Sequence, residues 1–363
     1  MSHLTEGMEA MKGLSRKEYA EIKDSIDSCI RPLIFYHDDA DGLSSFLQIY
    51  RYKQDGRGII IKSTPCVDMK FLNKVLEYSP DMIFVVDIAD IEQEFIDSVK
   101  VPIVWVDHHG PYERAGVRYF NPRKHNPTSN PPVSYLMSKA LKVKEDDWIA
   151  MAGMVGDWYL PPDHEVFSRK YPDLLPGTIT RPEDAMFSSG IGVISEIFNF
   201  ILKGTTSDAL KHAKVMTRIK TPQEILAQET SRGKFIYKRY EYIKSLYEAT
   251  LKEAKKKAGK GHILLYNYTD QKMSFTGELS NNLLYLYPEK VIIVAREKSG
   301  EMKCSFRSTR VILPPVIASC LEDLGGRSGG HEHACGAVIR CSDFKVFMQR
   351  FRREIKAILA QPK

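Results

Sequence analysis

The stretch Leu33-Ile34-Phe35-Tyr36-His37-Asp38-Asp39-Ala40-Asp41-Gly42 decides the architecture. Four apolar residues in succession, with no polar residue between them, read as a strand buried on both faces. A helix-like stretch follows over 43–52, and Gly58-Ile59-Ile60-Ile61 reads as a second strand. The alternation continues with a helix near 69–78, the strand Met82-Ile83-Phe84-Val85-Val86, a helix near 92–99 and the strand Ile103-Val104-Trp105-Val106. Apolar strands alternating with amphipathic helices predict a parallel sheet covered by helices on both faces. In such sheets ligands gather at the carboxyl ends of the strands. The chemically loaded residues fall at those ends: Asp39 and Asp41 after the first strand, Asp87 after the third, and Asp107-His108-His109 after the fourth.

Working outward, 15–29 carries Tyr19, Ile22, Ile26 and Cys29 at helical spacing, a surface helix leading in. Residues 121–132, rich in Pro, Asn and Ser, read as a loop; helices follow near 133–141 and 147–155, and 161–182 is again loop-like. The highly charged stretch 207–258 has a helical stripe through Ile236, Tyr240, Ile243, Tyr247 and Leu251 and predicts a helical connector. Strand signals return at 263–266, 291–294 and 302–306, followed by a helix over 314–324, a glycine-rich loop and a strand at 337–340. The expected chain is therefore α/β: a larger parallel-sheet domain over 1–205, a helical connector over 206–259 and a smaller α/β domain over 260–363.

At 363 residues there is room for about two domains of roughly 150 residues, which excludes a disulfide-stapled miniprotein. No apolar run approaches the roughly 20 residues of a membrane span, and the polar opening shows no signal-peptide core, so a soluble cytoplasmic protein without a membrane partner is expected. The six cysteines form no C-x-x-C pair and read as reduced thiols. A net charge of +6 tolerates a polyanionic partner without requiring one.

The chemistry concentrates in four loops. Three carboxylates and an imidazole within 37–42 crowd negative charge unless a cation neutralises it, and Asp/His sets suit manganese, magnesium or zinc. One aspartate alone would be explained as a helix cap; this cluster is not. Asp87 belongs at a strand end, because a buried unpaired carboxylate is costly. Tandem histidines beside Asp107 are hard to explain as packing. Asp157 ends a helix-like segment, where a carboxylate opposes the helix dipole and a compensating cation is implied.

His37-x-Asp39-x-Asp41-Gly42, Asp87, Asp107-His108-His109 and Asp157 resemble, in order, the four motifs of the DHH phosphoesterase superfamily. Gly329-Gly330-His331-x-x-Ala334-x-Gly336, with Lys303-x-Ser305-x-Arg307-Ser308 upstream, is similar to the DHH-associated C-terminal domain. The resemblance runs from about Leu33 to Arg340 and implies a site for two divalent ions, usually Mn2+, with Mg2+ an alternative. It assigns Asp39 with His37 to one metal and Asp41, His108 and Asp157 to the other. Asp87 then bridges and takes part in catalysis, and His109 lies close to the phosphate. Two such ions stabilise the attacking and leaving oxygens of a phosphodiester.

In the second domain the resemblance places substrate against Arg307, Ser308, Gly329, Gly330 and His331. Glycines there let backbone N–H groups approach a phosphate, and arginine can grip one as a fork. The run is interrupted by Arg327-Ser328, unlike an unbroken glycine stretch. His331-x-His333-x-Cys335 lacks a second ligand pair and does not make a zinc site. The basic residues of Asn121-Pro122-Arg123-Lys124-His125-Asn126 either touch substrate or face water.

The expected function is a RecJ-like hydrolase of single-stranded RNA or DNA, an exonuclease on short oligonucleotides, with replication or repair proteins as partners. A phosphatase or phosphodiesterase of linear dinucleotides or 3′-phosphoadenosine 5′-phosphate shares every metal ligand. A non-catalytic replication scaffold is the reading from another class, but scaffolds of the superfamily have lost ligands that are present here.

Overall fold

The computed structural model describes residues 13–62, 66–269 and 273–360. They divide into two compact units, Met1–Glu241 and Tyr242–Lys363, and the boundary falls within the helix Ser231–Lys255.

The strands of the first unit are β1 (Pro32–His37), β2 (Arg57–Ile61), β3 (Cys66–Val67), β4 (Met82–Val86), β5 (Asp90–Ile91), β6 (Ile103–Val106) and β7 (Arg118–Phe120). Five of them form one parallel sheet in the order β2-β1-β4-β6-β7, while β3 and β5 pair separately. This is the α/β architecture that the apolar runs predict. Leu33, Phe35, Ile83, Val85, Ile103 and Trp105 are buried on one face against Phe71 and Phe95. On the other face Tyr36 stacks on Phe46 of the helix Ala40–Lys53, with ring centroids 4.5 Å apart.

The helices Ala40–Lys53, Val133–Leu141, Asp147–Gly156 and Gly190–Ile201 pack together behind that face. Close approach there depends on small residues: a Cβ on Gly153 would lie 2.6 Å from Ser44 Cβ and 2.7 Å from Ser134 Cβ.

Several local expectations are corrected. The helix after β1 begins at Ala40 rather than at Leu43, because the Asp39 side chain caps it by accepting from Gly42 N–H. The loop read at 161–182 contains the helix His164–Lys170, whose only buried apolar side chain is Phe167. The connector is three helices, Thr206–Met216, Pro222–Leu226 and Ser231–Lys255; Pro222 fits only at a helix start and so breaks the run.

In the second unit, β8 (Ile263–Thr269), β9 (Val291–Lys298), β10 (Glu301–Arg307), β11 (Gly326–His331) and β12 (Ala334–Arg340) form a sheet in the order β11-β12-β10-β9-β8. All pairs are antiparallel except β8 with β9. The glycine-rich loop is in fact the edge strand β11. Its backbone pairs with β12 from Gly326 opposite Ile339 to His331 opposite Ala334, so it needs no apolar side chains. The helix Cys341–Ala360 lays Phe347 and Phe351 against Phe306 of β10. Among the described residues no helix is long and apolar enough to cross a membrane.

Candidate metal centre

Every loop of the centre leaves the carboxyl edge of the parallel sheet or an adjoining helix end. At the end of β1, His37 Nδ1 lies 2.6 Å from Asp39 Oδ2, while Asp39 Oδ1 accepts from Gly42 N–H at 2.9 Å. The turn is tight: a Cβ on Gly42 would lie 2.5 Å from the His37 carbonyl oxygen and 2.7 Å from its nitrogen, both backbone atoms. Gly42→Ala should therefore destabilise the protein by about 3 kcal/mol through overpacking, measured by denaturant unfolding. A loss below about 0.5 kcal/mol would contradict this account of the turn.

Asp41 is wholly buried, and its two carboxylate oxygens accept from Val133 N–H and Ser134 N–H at 2.8 Å. Those donors open the helix Val133–Leu141, where a negative charge meets the positive end of the helix dipole. Asp87 follows β4 in the left-handed region, φ 56°, uncommon for a residue with a side chain. Its N–H donates to Val106 O at 3.1 Å, which fixes the turn to β6. Beyond β6, His108 is buried, with Nε2 3.3 Å from Asp157 Oδ2 and 3.5 Å from Asp87 Oδ1. Asp157 caps the carboxyl end of the helix Asp147–Gly156.

The side chains converge into three overlapping groups: His37, Asp39 and Asp87; Asp41, His108 and Asp157; and Asp87, His108 and His109. Within each group one ligand atom per residue lies within 4.8 Å of the others. Asp87 and His108 each belong to two groups.

The electrostatics show the cost of this gathering. Burial, then the charge of Asp87, raises Asp41 to about 7. Burial, then the charge of Asp39, raises Asp87 to about 7. Burial and the carboxylates of Asp41, Asp39 and Asp87 push Asp157 well above its ordinary value. Asp39 is held low: burial opposes its charge, but the charge and hydrogen bond of His37 outweigh that. Burial likewise works against a charged His37, and Asp39 overcomes it and raises the imidazole.

Asp87 Oδ2 is buried with no hydrogen-bond partner, and His37 Nδ1 is 3.6 Å away. A buried carboxylate oxygen left without a donor among other carboxylates fits a cation. The donor set, carboxylate oxygens with imidazole nitrogens, fits Mn2+ and related divalent ions.

Residues 31–156 match the model of the DHH family, N-terminal domain, and residues 252–357 match that of the DHHA1 domain. The chain thus carries a match to each of these two domain models, in that order along the sequence. Its fold is similar to RecJ from Thermus thermophilus in complex with Mn2+, with a TM-score of 0.67 at 16% identity over 96% of this chain and 55% of that one. The same RecJ in complex with Mg2+ gives a TM-score of 0.60 at 15% identity over 95% and 53%. An exonuclease RecJ bound to manganese gives 0.60 at 16% identity over 95% and 94%. This chain thus spans about half the length of the Thermus RecJ. At these identities the likeness is one of fold. No curated protein sequence matches the chain.

In the DHHA1 unit, Arg307 and His331 stand on either side of Ala334, opposite it on β10 and β11 respectively. Arg307 Nε donates to Asn281 Oδ1 at 2.6 Å and one terminal nitrogen to Phe306 O at 2.8 Å. Gly329 and Gly330 are exposed on the edge strand, and a Cβ on Gly329 would meet nothing. Ser308 is wholly buried, its Oγ accepting from Arg310 N–H and Val311 N–H, which makes it the holder of the turn after β10.

Sequence reading missed the partners of His109. Asp107, wholly buried, accepts from His109 N–H at 3.0 Å and stands 2.7 Å from His109 Nδ1. The Asn121 amide donates to Asp107 Oδ2 at 3.3 Å and to His109 O at 3.0 Å. The available signal was the aspartate directly preceding the tandem histidines.

Proposed function

We propose that this chain is a metal-dependent phosphodiesterase of the DHH family that hydrolyses short single-stranded nucleic acids from an end. The observation that supports it most is the set of three ligand groups sharing Asp87 and His108 around a buried carboxylate oxygen without a donor. On this reading Asp39 with His37 holds one ion, Asp41, His108 and Asp157 hold a second, and Asp87 serves both. Divalent ions bound there, Mn2+ foremost, supply Lewis acidity and a water of lowered pKa for in-line displacement at phosphorus.

The chain's own part is positioning. The left-handed turn at Asp87 and the two backbone donors on Asp41 fix carboxylates that would otherwise repel each other. Asp107 orients His109, which we assign to a phosphate oxygen of the substrate. A water oxygen bonds to phosphorus, the P–O bond to the neighbouring nucleotide breaks, and that oxygen leaves with a proton. Arg307, Gly329, Gly330 and His331 of the DHHA1 unit, residues 260–363 on the domain division read from sequence, are assigned to substrate phosphates; Ser308 supports Arg307 through its turn. The RecJ folds in complex with Mn2+ and Mg2+ support the choice of ions, and the exonuclease among them supports the choice of substrate. Such an enzyme would work in the cytoplasm beside replication or repair proteins.

The test is a panel of a linear dinucleotide, a pentanucleotide and a twenty-mer, each as RNA and DNA, with Mn2+ and with Mg2+. Metal-dependent loss of the short single strands is the expected result. Turnover of the dinucleotide alone would favour the small-nucleotide reading, and no turnover of any substrate with either ion would overturn the proposal.

A further inference from the structure

We propose that Arg123 is a substrate-binding residue that grips a phosphate at the rim of the metal centre, an inference that rests on the phosphodiesterase reading. It stands on the loop after β7, whose last residue, Phe120, receives the hydrogen bond from Asp107 N–H at 3.0 Å. The loop therefore leaves the same sheet edge as the metal-centre loops. Asn121 Oδ1 accepts from Arg123 N–H at 2.9 Å, while the Asn121 amide donates to His109 O at 3.0 Å. A single buried side chain thus ties the Arg123 backbone to that of His109.

The loop carries three basic residues, and two are committed. Lys124 Nζ lies 5.2 Å from the centroid of the Tyr119 ring, and His125 Nε2 lies 2.8 and 3.0 Å from the carboxylate oxygens of Glu18. Arg123 is half-buried, its Nε is shut off from solvent, and its guanidinium has no hydrogen-bond or ion-pair partner among the described residues. No carboxylate among them neutralises it, although the neighbouring loops are rich in carboxylates. A shielded N–H without an acceptor is left with its desolvation penalty uncompensated. A phosphate entering beside His109 would supply both the acceptor and the charge, and the guanidinium fork matches two phosphate oxygens.

The test is equilibrium binding of a fluorescein-labelled, 5′-phosphorylated pentanucleotide to the full chain with Ca2+, read by anisotropy. Arg123→Gln should weaken binding at least tenfold and Arg123→Lys should recover part of that. Lys124→Gln should bind within twofold of wild type, and the Mn2+ affinity and Tm of Arg123→Gln should be unchanged. Equal affinity of Arg123→Gln and wild type, no binding by wild type, or loss of Mn2+ affinity in Arg123→Gln would overturn the inference. Weaker binding by Arg123→Gln in a protein that hydrolyses no substrate would uphold it while removing the hydrolase reading.

Discussion

If the proposed function holds, Asp87→Asn should lower kcat/KM by at least about 10³-fold, about 4 kcal/mol of transition-state stabilisation, while the metal-free protein should keep its fold and melt no lower than wild type. Asparagine has the same size and tolerates the left-handed backbone that Asp87 adopts at φ 56°, so the fold is not asked to change. What disappears is one buried charge beside Asp39, whose repulsion burial and proximity make costly. Losing a like charge should relieve the metal-free state, whereas losing the ligand proposed to be shared should disable the loaded one. Steady-state kinetics and a thermal melt of the same preparation separate the two effects. Activity within tenfold of wild type would remove Asp87 from the centre, and a Tm lowered by many degrees would make it a structural residue instead. Asp87→Ala is the poorer variant, because alanine adds a backbone penalty of its own.

The second large effect is on pH. Asp41 and Asp87 are raised from an ordinary value of 3.8 to about 7 in the metal-free protein. Between those values the folded chain holds protons that the unfolded chain has already released. Their stabilising contribution is thus complete below about pH 4 and is lost as pH rises through about 7. A divalent ion must displace the same protons to bind. Mn2+ affinity should therefore rise roughly tenfold per pH unit below 7 for each proton displaced. The rise in Tm on adding Mn2+ should likewise be larger at pH 8 than at pH 6. Calorimetric titrations in buffers of different ionisation enthalpy count the protons released. Affinity that is flat from pH 6 to 8 would contradict the buried, protonated carboxylates.

How much of this was legible in the sequence follows from what each element is made of. Strands buried on both faces announce themselves as unbroken apolar runs, and β4 and β6 lie over the residues that the runs at 82–86 and 103–106 mark. A parallel sheet sends its connections out at one edge, so residues far apart in sequence, from His37 to Asp157, were expected in one place. The structure brings them together there. Elements defined by backbone pairing or capping were harder to read. The strand Gly326–His331 is held by its hydrogen bonds to β12 and carries no apolar pattern, so it looks like a loop. The helix start at Ala40 is set by a side-chain cap on a polar residue, and the three-residue β7 has a single buried side chain. Asp107 shows the same limit within the site: its task is to accept from His109 and Asn121, a contact that depends on the loop after β7 folding back. Ser308 has the matching history: expected against substrate from its motif, it has a side chain that holds a buried turn.

Equilibrium dialysis against Mn2+ at pH 8, with the bound metal counted by atomic absorption, tests the account at its root. Two ions per wild-type chain are predicted, falling to one or none in Asp87→Asn. No bound ion in the wild type, or an undiminished count when Asp39, Asp87, His108 and Asp157 are all replaced, would contradict it.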